Sequence, residues 1–245
     1  MLPHIYLIRH GETEWSLSGQ HTSRTDIPLT EQGEQDAREL AERLRAVRFS
    51  RVFTSPRQRA RRTCALAGLG AVAEVEPDLT EWDYGDYEGQ RSADILQARP
   101  NWNVFRDGCP RGETPAQISD RANRFIARLR VLDGNVALFS HGHFGRVLAA
   151  RWIGLPVSEA RHFLLSTASL SILGYEHNFA EESAIVLWNA VPNESFDFMP
   201  HQHLGYQETM ANTRAIQRWE NEGGEIPTQR EASGNSLPRR DPGSD

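Results

Sequence analysis

The chain has only two cysteines, Cys64 and Cys109, among its 245 residues. They stand far from any metal-type spacing and do not suggest a disulfide framework, so a reducing cytosol is the expected setting. No apolar run approaches the roughly 20 residues of a membrane span. The N-terminus has no basic region leading into a long apolar core, so no secretory signal is expected. Positive charge is not in excess either. The formal net charge of −6 argues against a general nucleic-acid binder, whose surface is usually basic. Convincing internal repeats are missing too. What remains is a soluble chain with an ordinary charged fraction, long enough for one substantial domain with a full core.

Residues 1–192 alternate strand-like and helix-like segments, which argues for an α/β fold of three αβα layers around a mostly parallel sheet. Strands are expected over 4–9, 51–54, 136–140, 169–175 and 184–189. A helix is expected over 30–47, capped by Thr30, with Ala37, Leu40, Ala41, Leu44 and Val47 at helical spacing. Ser55-Pro56 reads as a second helix start, Ser55 as N-cap and Pro56 at the first helical position. A third helix lies within 112–132, with Ile118, Ala122, Phe125, Ile126 and Leu129 on one face. These stripes are core, not cofactor boxes. Residues 193–220 form a C-terminal extension in which 206–219 can be an amphipathic helix. The segment 221–245 is rich in Gly, Pro, Ser, Glu and Arg, with too little apolar surface to offset its ordering entropy, and is expected to be disordered.

The most informative stretch is Arg9-His10-Gly11-Glu12-Thr13, directly after the apolar run Ile5-Tyr6-Leu7-Ile8. Open α/β sheets place ligand sites just past the carboxyl ends of their strands. His141 stands in the same setting after Val136-Ala137-Leu138-Phe139. Two histidines and an arginine at strand ends suggest phosphoryl chemistry, in which positioning and fixed positive charge do most of the catalysis. Arginine suits phosphate oxygens and stays charged. A neutral imidazole can attack phosphorus if its other nitrogen is held as a donor, and an acid must then protonate the departing alkoxide. The candidates are His10 as nucleophile, Arg9 and Arg59 as anion holders, and His141 with the Gly142 amide at the start of a helix. Glu81, in a loop before Trp82-Asp83-Tyr84-Gly85, is the candidate acid. Crowding by Asp83, Asp86 and Glu88 would raise its proton affinity, as burial would. Arg57, Arg61 and Arg62 read as a solvated helix face.

Four segments carry a resemblance: Arg9-His10-Gly11-Glu12-Thr13-Glu14-Trp15, Ser55-Pro56-Arg57-Gln58-Arg59-Ala60-Arg61-Arg62-Thr63, Glu81-Trp82-Asp83-Tyr84-Gly85-Asp86-Tyr87-Glu88-Gly89 and Ser140-His141-Gly142-His143. In that order, they resemble the histidine phosphatase superfamily in its phosphoglycerate-mutase-like branch, over about residues 3–190. The resemblance implies His10 as the phosphorylated residue, Arg9, Arg59 and His141 as the phosphate pocket, Glu81 as proton donor, and no metal or other cofactor. Ser16, Thr22, Ser23, Gly142 and His143 complete the candidate substrate contacts. Within the family, residues 25–30 and 102–109 look closest to sedoheptulose-bisphosphatase-type and related sugar phosphatases. Two positions depart from the mutase pattern: Ser16 and His143 each stand where asparagine is common. No paired-arginine segment for a phosphoglycerate carboxylate is found.

The pairs His141-x-His143 and His201-x-His203 lack the further ligands of a zinc site. Trp82, Tyr84 and Tyr87 can line a sugar pocket or pack their loop. Trp102, Phe105 and Arg106 read as a lid or specificity segment, or as a plain connection. The expected activity is a cytosolic, metal-independent phosphomonoesterase acting through phosphohistidine on a small sugar phosphate or bisphosphate. A phosphoglycerate mutase is one alternative. A non-enzymatic phosphate-binding or interaction module is the other. The expected partner is the small phosphorylated substrate, not nucleic acid or a membrane, and the sequence leaves room for a homo-oligomer. Fold and family alone do not fix the substrate.

Overall fold

The computed structural model describes residues 2–191. The expectations for a helix over 206–219 and for the tail 221–245 lie outside the described residues. A six-stranded sheet runs in the order β3-β2-β4-β1-β5-β6. Its strands are β1 (His4–Arg9), β2 (Phe49–Thr54), β3 (Glu74–Val75), β4 (Asn135–Ser140), β5 (Leu170–Tyr175) and β6 (Ser183–Ala190). β1, β2, β3 and β4 pair in parallel, whereas β5 pairs antiparallel to both β1 and β6. Only β5 therefore runs against the rest. The expected three-layer, mostly parallel α/β architecture is the one observed. The two-residue β3 at the edge is too short to leave a period in the sequence.

Seven α-helices are described: α1 (Glu14–Ser18), α2 (Glu31–Leu44), α3 (Gln58–Leu66), α4 (Ser92–Ala98), α5 (Val104–Asp107), α6 (Pro115–Arg130) and α7 (Gly142–Trp152). The central strands are buried on both faces, and successive side chains serve opposite cores. Ile5, Leu7, Val136 and Leu138 pack with Ile118, Phe125 and Leu129 of α6 and Phe144 and Val147 of α7. Ile8, Ala137 and Phe139 pack with Leu40 and Leu44 of α2 and Cys64 of α3.

Capping explains where the helices begin. Thr30 accepts from the Gly33 amide at 3.0 Å, and α2 ends at Leu44, three residues short of the expectation. Thr114 and Gln117 form a capping box, with Pro115 opening α6. One expectation fails. The second helix begins at Gln58 with Arg57 as its cap, not at Ser55-Pro56. The Ser55 hydroxyl is engaged across the sheet instead.

The loop after β1 is fastened to the start of α2. The Thr30 amide and hydroxyl bond the Glu12 carbonyl and carboxylate at 2.9 Å each. Two glycines permit this approach. A Cβ on Gly33 would stand 2.2 Å from the Glu12 carbonyl oxygen, and one on Gly11 would stand 2.4 Å from that of Gly33. Backbone cannot yield as a flexible side chain can, so Gly33→Ala forces the loop and helix apart. Overpacking of this kind costs about 1–3 kcal/mol. The expected result is a lowered denaturant midpoint with an unchanged slope; an unchanged midpoint would contradict the contact.

Candidate active site

β1 and β4 are neighbours in register, with Arg9 opposite Ser140. The residues that follow them are therefore adjacent at the carboxyl edge of the sheet, the expected ligand position of an open α/β sheet. The His10 amide donates to the Ser140 carbonyl at 3.0 Å, and the rings of His10 and His141 lie 5.2 Å apart. His10 Nδ1 is 2.7 Å from the carbonyl oxygen of Gly11. A carbonyl only accepts, so Nδ1 carries the proton and Nε2 keeps its lone pair. The Gly11 amide donates to Thr63 on α3, and the Thr63 hydroxyl donates to the Arg59 carbonyl, which locks the loop in place.

Three guanidinium groups surround the two imidazoles. Arg9 Nη1 donates to the Leu165 carbonyl at 2.5 Å. Gly142 lets the Arg9 guanidinium lie against the first turn of α7; a Cβ there would be 3.2 Å from Arg9 Cζ. Arg59, in the first turn of α3 as expected, is wholly buried. Its Nη1 and Nη2 donate to the carbonyls of Thr25 and Thr22, at 3.1 and 3.0 Å. Its buried Nε has no partner among the described residues. Burial pushes the Arg59 pKa down to about 10, with Glu81 and Asp26 countering, so it remains cationic at neutral pH. The third guanidinium, Arg57, is close enough to disfavour charge on His141.

Burial, reinforced by Arg59 and Arg9, holds the proton affinity of His10 well below the usual histidine range. Burial does the same for His141, aided by Arg59, His10, Arg9 and Arg57. Glu81 moves the other way. Its Oε1 accepts from the Trp82 and Phe144 amides at 2.8 Å each, and its Oε2 from the His143 amide at 3.0 Å. These donors favour the carboxylate, yet burial outweighs them and raises its proton affinity. Acidic crowding is not the cause. Asp83 pairs with Arg24 and Asp86 with Arg111, while Glu88 accepts from the Ser23 and Thr25 amides.

A cleft of about 440 Å³ opens onto this group, lined by Arg9, His10, Ser16, Thr22, Glu81, Gly142 and His143 among others. Seven of the ten residues singled out in the sequence thus share one cavity, and Arg59 and His141 stand wholly buried. Ser16 reaches the cleft, although its hydroxyl also forms the capping box with Thr13. Ser23 does not line it; its hydroxyl donates to Glu88 at 2.5 Å. Trp15, Gly19, Gln20 and His21 line the cleft without having been singled out. Their signal was sequence position alone, inside and just after the first motif.

The aromatic cluster divides. Tyr84 lines the cleft with its hydroxyl 2.5 Å from His143 Nδ1, whereas Trp82 is buried in the core and Tyr87 packs on Trp102. The 102–106 segment is no lid. Trp102 and Phe105 are buried, stacked edge-on against His21 and His143 as a fixed wall, and Arg106 faces solvent beside Asp107. Among the described residues, no group of three His, Cys, Asp or Glu side chains is placed to hold a metal, and no helix is long and apolar enough to cross a membrane.

The depressed histidines make stability pH-dependent. Native His10 and His141 resist protonation, whereas in the unfolded chain they take protons near pH 6.5. Below that pH the unfolded state binds more protons, so stability falls as pH falls, by about 1.4 kcal/mol per pH unit for each such histidine. The decline ends where the native imidazoles titrate. Denaturation midpoints from pH 7.5 to 5 should show this slope, and His141→Gln should flatten it; equal slopes would place the acid sensitivity elsewhere.

With this geometry, the comparisons with known proteins agree. The profile of the histidine phosphatase superfamily (branch 1) matches residues 5–190. A Mycobacterium tuberculosis protein named acid phosphatase is 41% identical over 187 residues, covering 75% of this chain and 92% of its own. The sedoheptulose 1,7-bisphosphatase of Saccharomyces cerevisiae is 34% identical over 251 residues, covering 76% and 93%. The solved structure of a Mycobacterium tuberculosis open reading frame product superposes with a TM-score of 0.73 at 39% identity, covering 77% of this chain and 98% of that one. The strand-end imidazoles, the sheet that positions them and the motif order thus converge, and the chain belongs to branch 1 of the histidine phosphatase superfamily.

Proposed function

We propose that this phosphomonoesterase hydrolyses a small sugar phosphate or sugar bisphosphate through a phosphohistidine at His10. The observation that carries the reading is the His10 tautomer. Nδ1–H is spent on the Gly11 carbonyl, so the Nε2 lone pair is available to a phosphoryl group beside Arg9. Nε2 attacks phosphorus, the bond to the ester oxygen breaks, and that oxygen takes the Glu81 proton. Water then attacks the phosphohistidine and gives a proton to the Glu81 carboxylate. The N–P bond breaks, its electrons return to Nε2, and inorganic phosphate leaves. Arg9, Arg59 and His141 balance the charge on the equatorial oxygens, and Ser16, Thr22, Gly142 and His143 contact the substrate.

Hydrolysis is favoured over mutase chemistry. Among the described residues lining the cleft, Arg9 is the one arginine, and no second one stands ready for a substrate carboxylate. The name of one relative, sedoheptulose 1,7-bisphosphatase, supports a sugar hydroxyl as the leaving group, against Trp15, Gln20, His21 and Tyr84. The cytosol is the proposed place of action. Cys64 and Cys109 are buried free thiols whose pKa burial pushes up to about 12, which suits a compartment without disulfide chemistry.

His10→Ala is expected to lower turnover by on the order of 10⁴ or more and to abolish acid-labile phosphoryl labelling. Steady-state activity retained in the purified variant would remove the covalent mechanism. A panel of sugar phosphates, phosphoglycerates and phosphopeptides, assayed for phosphate release, identifies the substrate class.

Glu81→Gln separates proton donation from positioning. A sugar alkoxide is a strong base and needs the proton; p-nitrophenolate does not. In rapid mixing, phosphoenzyme formation from the sugar phosphate should slow by on the order of 10²–10⁴, and that from p-nitrophenyl phosphate far less. The Gln amide must face at least one backbone N–H that now meets a carboxylate oxygen, so both substrates bear a shared loss. The difference between them measures the acid role, and equal slowing would exclude it.

A further inference from the structure

Ser55 follows β2 and is wholly buried, as is His141. The Ser55 Oγ lies 2.7 Å from His141 Nε2. Its other contact is with a donor: the Arg57 amide points at the same oxygen, at 3.4 Å. A serine hydroxyl has one proton to give. Here the nearby backbone amide can only donate, so the imidazole nitrogen is the acceptor that the geometry provides. The other ring nitrogen, His141 Nδ1, is buried and has no partner among the described residues.

We propose that Ser55 is a positioning residue that fixes the tautomer of His141: its hydroxyl donates to Nε2 and thereby places the single ring proton on Nδ1, as a donor for the phosphoryl group. The proposal rests on the reading that His141 borders the phosphoryl site. The opposite tautomer fails on two counts. Nε2–H would donate to Oγ and leave the serine proton without an acceptor, and Nδ1 would turn a lone pair toward phosphoryl oxygens that are themselves acceptors. A buried N–H without an acceptor is costly in the empty site, and an incoming phosphoryl oxygen relieves that cost. Arg59 Nε is another buried donor without a partner among the described residues.

Two hydroxyl and carbonyl neighbours thus divide the work between two similar rings. The Gly11 carbonyl makes His10 present a lone pair, and the Ser55 hydroxyl makes His141 present a proton. Burial keeps His141 neutral near pH 7, so its tautomer has to be chosen rather than overridden by a second proton. This use also accounts for Ser55 standing outside α3, whose cap it does not form.

The test uses the full chain labelled with ¹⁵N-histidine. Two-bond ¹H–¹⁵N correlation at pH 7.5 reads which nitrogen of His141 holds the proton, with His141→Gln identifying the signal. The expected result is Nδ1–H in the wild type and in Ser55→Thr, and a shift toward Nε2–H in Ser55→Ala. Vanadate, a mimic of the phosphoryl transition state, should bind Ser55→Ala about 10–100-fold more weakly, the scale of one lost hydrogen bond to a charged group. A wild-type His141 protonated at Nε2 would overturn the proposal even if Ser55→Ala did not fold. So would an unchanged tautomer and unchanged vanadate affinity in a folded Ser55→Ala. Failure of the phosphohistidine reading shows separately, as wild-type enzyme that takes no acid-labile phosphoryl label.

Discussion

A buried guanidinium in no direct ion pair with a carboxylate among the described residues organises this protein. Arg59 enters the interior from the first turn of α3 and is held by the carbonyls of Thr22 and Thr25. Two carbonyl dipoles orient a cation but do not neutralise it, and removing a charge from water is costly unless it is paired. The site is therefore built around an unmet demand for an anion. The rest of the fold bears that cost through two apolar cores on either side of the sheet. The chain contains no lysine at all; its 27 basic side chains are arginines. Every fixed cation at the site is thus a planar fork that keeps its charge and suits phosphate oxygens in pairs.

One physical cause acts on both residues proposed for the first chemical step. Exclusion of water disfavours the charged form of any group. For His10 the charged form is the useless one, because an imidazolium has no lone pair to give. For Glu81 the charged form is equally useless at the outset, because a carboxylate has no proton to donate. Burial thus favours the neutral form of both His10 and Glu81, the forms that their proposed roles as nucleophile and acid require. The three amides on Glu81 keep the opposite state within reach. In the proposed mechanism they hold the carboxylate in geometry once the proton has gone, ready for the water of the second step.

Much of this was legible in the sequence. Central strands announced themselves as apolar runs, and the cap Thr30 marked the start of α2 because capping is local chemistry; the Thr114 cap of α6 was not singled out. His10, His141 and Arg9 were legible because their motifs stand where strands end, and Glu81 because it opens a loop motif of its own. Other features depend on long-range contacts that no local pattern encodes. Ser55-Pro56 satisfies every rule for a helix start, yet the Ser55 hydroxyl is engaged in a tertiary hydrogen bond with His141 instead of a local cap. Asp83, Asp86 and Glu88 lie close to Glu81 in sequence, but each has its own partner, so their nearness in the chain misled. His21 had no motif of its own. It enters the cleft because Tyr84 and Trp102, distant in sequence, wall it in.

The proposed nucleophile follows β1, the first of the described strands, yet β1 lies in the interior of the sheet between β4 and β5. During synthesis the apolar run Ile5–Leu7–Ile8 emerges long before Leu138 or Leu173 exists to cover it. Its pairing is among the most non-local in the molecule, and such contacts close slowly because loop entropy must be overcome first. A nascent chain therefore carries an exposed, aggregation-prone strand and no site at all. The setting of His10 is complete only with the whole sheet, because β1 has both its neighbours only once β4 and β5 have formed.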